Sequence, residues 1–181
     1  MAIGAASRHP LSRIGILERL KPIDLTVLAF LRSSHRDGAW TQVEVASALG
    51  IAQSSVHRAL QQLEASGLLT EDARPVRNLI VHAVRHVYPP FLGAPARGIP
   101  TAWAHPAIAR DIHVAEGLVW PTDKGTSHGP SLEPLHPCVR RAALGSPSFY
   151  ELMALIDVFR AGRVGECALA ARRLDELLQI V

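Results

Sequence analysis

Hydrophobic residues recur with helical spacing in most of the chain, and polar or glycine-rich breaks divide them into discrete elements. In KPIDLTVLAFLRSS (21–34), Leu25, Val27, Leu28, Phe30 and Leu31 predict an apolar helix with Asp24 as its N-cap and HRDG (35–38) as its stop. In WTQVEVASALG (40–50), Thr41 and Glu44 have the spacing of a capping box, in which each side chain satisfies a backbone N–H of the first turn. Val45, Ala48 and Leu49 form the inward face there, and Gly50 supplies a left-handed stop. A second helix follows after GIA: Val56, Ala59, Leu60 and Leu63 fall at i, i+3, i+4 and i+7, and Gly67 ends it.

A short helix, a glycine-containing turn and a longer amphipathic helix make a helix-turn-helix. In such a unit the outer face of the second helix can enter the DNA major groove. That face carries Gln53, Ser54, Ser55, His57, Arg58 and Gln61. Ser and Gln are short enough to reach base edges or phosphates, and an Arg can grip a guanine or a phosphate with two prongs. Thr41, Gln42, Arg74 and Arg77 are the expected backbone supports. The same spacing also occurs in plain helical bundles, where a polar outer face is simply solvated.

A β-hairpin wing is expected after a recognition helix of this kind. Leu68–Thr70 suits a short strand, yet PVRNLIVHAVRHVYPP (75–90) carries Val76, Leu79, Ile80, Ala83, Val84 and Val87 at helical spacing. A helix therefore replaces or shortens the wing, with Pro75 in its first turn and Pro89–Pro90 closing it. It would expose Arg77, His82, Arg85 and His86, a basic surface suited to lie along phosphates.

Beyond this, YPPFLGAPARGIPTAWAHP (88–106) reads as an ordered, extended connection anchored by Phe91, Leu92, Ile99 and Trp103. Leu118–Pro121 and Ser131–Leu135 predict a hairpin around TDKGTSHG. SPSFYELMALIDVFRAGR (146–163), with Ser148 and Glu151 as a second capping box, and VGECALAARRLDELLQIV (164–181) predict an apolar helical hairpin. That hairpin and Leu11–Leu20 either complete the monomer core or bind a second copy. The expected class is mainly α with a small β component: a winged-helix-like domain with reduced wing, a β-hairpin and a helical hairpin. The expected division is a lead-in at 1–20, a DNA-binding domain at 21–88, a connection at 89–110 and a partner-binding or dimerisation part at 111–181.

Charge sharpens this picture only slightly. The net charge of +3 arises entirely in residues 1–90, where nine Arg and one Lys oppose seven acids; in 91–181 eight Arg and one Lys oppose nine. A modest basic excess permits an anionic partner. No apolar run approaches the ~20 residues of a membrane span, and no secretory signal opens the chain, so a cytoplasmic location is expected. Cys138 and Cys167 are expected to be reduced. His82 and His86 are four apart, as two metal ligands on a helix can be, but no third-ligand motif accompanies them. Lys-Gly-Thr-Ser at 124–127 lacks the first glycine of a phosphate loop, and no nucleophile pairs with a base. No metal, cofactor or enzymatic activity is expected.

Residues 41–69 resemble the helix-turn-helix of MarR-like winged-helix transcriptional regulators. Ala46, Leu49, Gly50, Ile51, Val56, Arg58, Leu60, Leu63, Glu64, Gly67 and Leu68 match that pattern. Ala52 departs from it, standing where the family has a capping Ser or Thr; Gln53 or Ser54 would have to substitute. The resemblance implies a DNA-binding regulator, normally a homodimer on double-stranded DNA. RGIPTAWAHP, LEPLHP and YELMALIDVFRAGR are also similar to a group of uncharacterised bacterial winged-helix proteins associated with toxin–antitoxin-like pairs. That similarity implies an alternative: an antitoxin-like module that neutralises a partner enzyme by contact.

Overall fold

The structure, a computed structural model, describes residues 20–34, 40–112 and 116–180. The lead-in up to residue 19 and the HRDG turn lie outside the described residues. Helix α1 spans Pro22–Ser33, α2 Gln42–Leu49 and α3 Gln53–Ala65. Helix α1 starts three residues earlier than expected, with Lys21 rather than Asp24 at the cap position, because Pro22 occupies its first turn. Asp24 is therefore not the cap residue; from inside the first turn its carboxylate accepts the Lys21 N–H at 2.7 Å. The Thr41–Glu44 capping box forms, and Gly50 ends α2 with φ +66°, a conformation costly for any residue bearing a Cβ.

Among the described residues, no strand stands between α3 and the helix that follows it. The chain turns through Gly67 and enters α4 (Arg74–Asn78), a π-type turn (Leu79–Ala83) and α5 (Val84–Val87), in continuous helical succession. The helix expected over this stretch is present. Its outward arginines are nevertheless fastened to the rest of the chain. Arg77 pairs with Asp175, and Arg85 donates to the carbonyls of Phe159 and Gly162. The basic face expected to lie along phosphates thus instead ties this helix to the C-terminal helices.

The segment expected to be an ordered, extended connection is strand β1, Leu92–Thr101. It pairs antiparallel with β2 (Leu118–Pro121) through its second half and with β3 (Ser127–Leu132) through its first. Thus β2 and β3 are joined through β1 rather than as a hairpin with each other; a single parallel bridge, Val119 to Ser131, closes the three strands into a small barrel. Closure requires bare backbone at the centre, since a Cβ on Gly125 would stand 2.2 Å from the Gly98 carbonyl carbon. Ile99 is buried and Trp103 half-buried, its indole N–H donating to Glu116 O at 2.8 Å, whereas Phe91 and Leu92 are exposed.

Helices α6 (Val139–Gly145), α7 (Pro147–Ala161) and α8 (Val164–Leu177) complete the chain. Pro147 starts α7, so Ser148 lies inside the helix and caps nothing; Glu151 instead accepts from Arg173 at 2.5 Å. Phe149, Leu152, Met153, Leu155 and Ile156 are fully buried, and Phe149 meets Phe30 of α1 edge-on at 5.7 Å between ring centres. One hydrophobic cluster runs from Leu25 and Leu49 through α7 to Leu174. The apolar side of α7 is therefore spent inside this core, whereas α8 buries Ala170 and Leu174 and leaves Val164 and Leu169 exposed.

Asp157 and Arg160 sit at the junction of these layers. The Asp157 carboxylate accepts from Trp120 Nε1 (2.6 Å), Thr101 Oγ1 (2.9 Å) and Arg160 (2.6 Å). Arg160 also donates to Tyr88 O at 3.0 Å, and the Tyr88 hydroxyl donates to Leu20 O at 2.8 Å. A polar chain thus joins the barrel, α7, the end of α5 and the start of α1, with its buried donors and acceptors paired.

Candidate nucleic-acid interface

The orientation of α3 is fixed by its buried stripe. With Gln53 set at 0° and ~100° per residue, Val56, Ala59 and Leu63 lie at about 300°, 240° and 280°. All three are fully buried against α1 and α2. The opposite, solvent-facing midline then passes near Ser54 and Gln61, at about 100° and 80°. Gln53, Ser54, His57, Arg58 and Gln61 are exposed, and Ser55 is half-buried.

The two flanks of this midline differ. Gln53 and His57, at about 0° and 40°, turn toward α2. Gln42 Nε2 lies 3.4 Å from His57 Nδ1, joining the start of α2 to the middle of α3. Thr41 sits beside Gln42, but its hydroxyl is engaged in the cap, accepting from Glu44 N at 3.2 Å and donating to Glu44 Oε2 at 2.8 Å. On the other flank Arg58, Gln62 and Ser55, at about 140°, 180° and 200°, turn toward the start of α1. Together with Gln61, Lys21, Ile23 and Asp24 they line an open cleft of about 360 Å³. Arg58 Nε donates to Ser54 O at 3.3 Å, which lays the guanidinium along the helix surface.

No side chain caps α3: Ala52 is its N-cap, and neither Gln53 nor Ser54 substitutes. Its first turn holds no acid, so nothing negative opposes an anion approaching from that end.

Not all the residues expected from the sequence converge. Thr41, Gln42, Gln53, Ser54, Ser55, His57, Arg58 and Gln61 share one side of the molecule's helix-turn-helix. Arg74 is exposed but lines a separate hollow with Arg32, Asp72 and the end of α8, to which no α3 residue contributes. Arg77 is committed to Asp175. Conversely, Lys21 and Gln62 stand on the α3 cleft and were not expected there. Gln62 lies in sequence between Gln61 and a buried leucine, with nothing to mark it; Lys21 is placed only by the packing of α1 on α3.

Histidine and cysteine chemistry lies elsewhere. His82 and His86 are exposed, but the π-type turn over Leu79–Ala83 breaks the plain α-helical register between them. Cys138 and Cys167 are free thiols, and burial pushes the Cys138 thiol up to about 11, which keeps it protonated. Among the described residues no helix is long and apolar enough to cross a membrane.

No curated protein and no solved structure shows a significant match to the chain. A family model does match part of it. The model is that of the IclR helix-turn-helix domain, not of the MarR-like group that residues 41–69 resemble. The match covers residues 25–73, from α1 to the residue before α4. It stops where a wing would begin and the helix begins instead. Residues 25–73 are thus similar to an IclR-type helix-turn-helix DNA-binding domain, and the similarity supports a DNA-binding transcriptional regulator.

Proposed function

We propose that the protein is a sequence-specific transcriptional regulator that binds double-stranded DNA as a homodimer, reading the major groove with α3. The observation that carries this reading is the division of α3 itself. Val56, Ala59 and Leu63 are fully buried, while Gln53, Ser54, His57, Arg58 and Gln61 are left open to solvent. A helix packed from behind and polar in front has the form required to enter a groove about 12 Å wide. Ser54 and Gln61 stand at the front as base readers, with Gln53, Ser55, His57 and Arg58 beside them. Thr41 and Gln42 support the backbone from α2. Arg74 and Arg77 drop out of the contact set for the reasons given above.

A homodimer suits the two-fold symmetry of most operators, since one helix-turn-helix reads only a half-site. The alternative of an antitoxin-like module requires an apolar surface for its partner. The helical hairpin offers less of that than its sequence suggests, because α7 is consumed in the core.

The test is a gel shift of the purified full chain against fragments of its own genome, with the mass of each complex measured. Discrete, salt-sensitive shifts carrying two chains per site are expected. Retention of a second protein through purification, with no salt-sensitive DNA binding, would favour the antitoxin reading.

A further inference from the structure

The proposed reading leaves unassigned the cleft between α1 and α3, and its chemistry is specific. Two cations, Lys21 from the start of α1 and Arg58 from α3, stand on its walls with Ser55, Gln61 and Gln62. Neither cation has an ion-pair partner among the described residues. Asp24, the one acid on the wall, is only 4% exposed; it accepts the Lys21 backbone N–H and lies within electrostatic reach of both cations, so the walls carry two positive charges against one buried negative charge. The mouth of the cleft therefore offers positive charge, hydroxyl and amide donors.

Its position matters as much as its chemistry. Arg58 and Gln62 lie on the flank of α3 opposite the one joined to Gln42. A helix seated in the major groove has a sugar–phosphate strand along each side. The α2 side faces one of these strands, and the α1 cleft faces the other.

We infer that the Lys21–Arg58 cleft receives a phosphodiester group of one DNA strand, which makes Arg58 a backbone contact rather than a base reader and adds Lys21 and Gln62 to the interface. This rests on the reading of α3 as the groove-entering helix. Phosphate contacts set register and affinity without reading sequence, so base discrimination falls to the midline residues Ser54 and Gln61.

The test uses the full chain, a duplex selected by it from a randomised library, and a scrambled duplex of the same length. Affinity is measured from 50 to 200 mM salt for the wild type, Lys21→Ala, Arg58→Ala and Gln61→Ala. Each cation lost should reduce the salt slope by about 0.9. Each substitution removes one cation from each chain of the dimer, so the slope falls by about 1.8 per complex, and the fourfold rise in salt costs each variant about 12-fold less affinity than it costs the wild type. Both variants should weaken the selected and scrambled duplexes by the same factor, and Gln61→Ala should keep the wild-type slope while losing preference at one base pair.

An unchanged slope in Lys21→Ala and Arg58→Ala overturns the inference, as does a changed base preference in Arg58→Ala. If Gln61→Ala still alters preference in those cases, α3 remains the reader and only the cleft assignment fails. If no duplex is bound in a salt-dependent way by the wild type, the reading of α3 fails first. Titration with inorganic phosphate separates a free anion from DNA. A saturable phosphate site abolished by Lys21→Ala, with duplex slopes unchanged, would also overturn the inference.

Discussion

Replacing Asp157 with Asn strikes the point where the barrel, α7 and the helix-turn-helix are joined. The carboxylate is wholly buried and faces three donors, while its partner Arg160 is 4% exposed. Asparagine keeps the shape but removes the charge, and it turns an N–H₂ toward at least one donor. Removing one partner from a buried ion pair costs about 3–5 kcal/mol, because the other charge is stranded. The carbonyls of Tyr88, Pro89 and Glu133 still accept from Arg160, at 3.0, 3.4 and 3.3 Å, so the lower end applies. A loss of about 3 kcal/mol in a domain of this size lowers Tm by about 6–12 °C. Urea unfolding followed by circular dichroism measures it, as a fall in midpoint at constant slope. Burial pushes the Asp157 carboxyl up, against the pull of Arg160, Trp120 and Thr101. If Asp157→Asn costs less than about 1 kcal/mol, the carboxyl is already neutral in the fold, and the junction is a hydrogen-bonded cluster rather than an ion pair.

Burial pushes His105 down to about 4, with Ala107 N–H donating to its Nδ1 and Tyr150 edge-on at 4.2 Å. Between its ordinary value and about 4 the unfolded chain therefore binds the extra proton, so stability should fall as pH drops through that window. The loss is about 3 kcal/mol and should be missing from His105→Phe in urea midpoints taken at several pH values. Arg77→Ala should cost about 0.5–1 kcal/mol, as befits a half-exposed ion pair, and leave the salt slope of DNA binding unchanged. Thr41→Ala removes the cap of α2 and should cost about 1 kcal/mol in thermal unfolding. Gly50→Ala should cost about 1–2 kcal/mol for its left-handed backbone, the neighbouring Arg141 guanidinium being free to swing aside.

What the sequence disclosed about this fold followed the range of the forces involved. The capping box at Thr41–Glu44, the glycine stops at 50 and 67 and the buried stripe of α3 are local, and each stands where its spacing placed it. The replacement of the wing by a helix was legible for the same reason: six apolar positions at helical period outweigh a weak strand signal. The starts of α1 and α7 were misplaced because Pro22 and Pro147 can open a helix with their fixed φ, ahead of the polar residues that mimic caps. The pairing of β1 with both later strands was illegible, since Leu92–Thr101 is rich in Pro and Gly and its partners lie more than fifteen residues away. Arg77 and Arg85 read as a free basic face because their acceptors, Asp175 and the carbonyls of Phe159 and Gly162, come from the far end of the chain. The place of Lys21 beside Arg58 is illegible for the same reason, as only tertiary packing brings the two together.

The measurement that bears most directly on α3 as the reading element is a selection from a randomised duplex library, run in parallel with the wild type, Ser54→Ala and Gln61→Ala. Loss of preference at one or two positions per half-site in each variant, with the remaining positions unchanged, is the expected result. Identical selected sequences from all three proteins would contradict it, because the exposed midline of α3 would then make no contact with the bases.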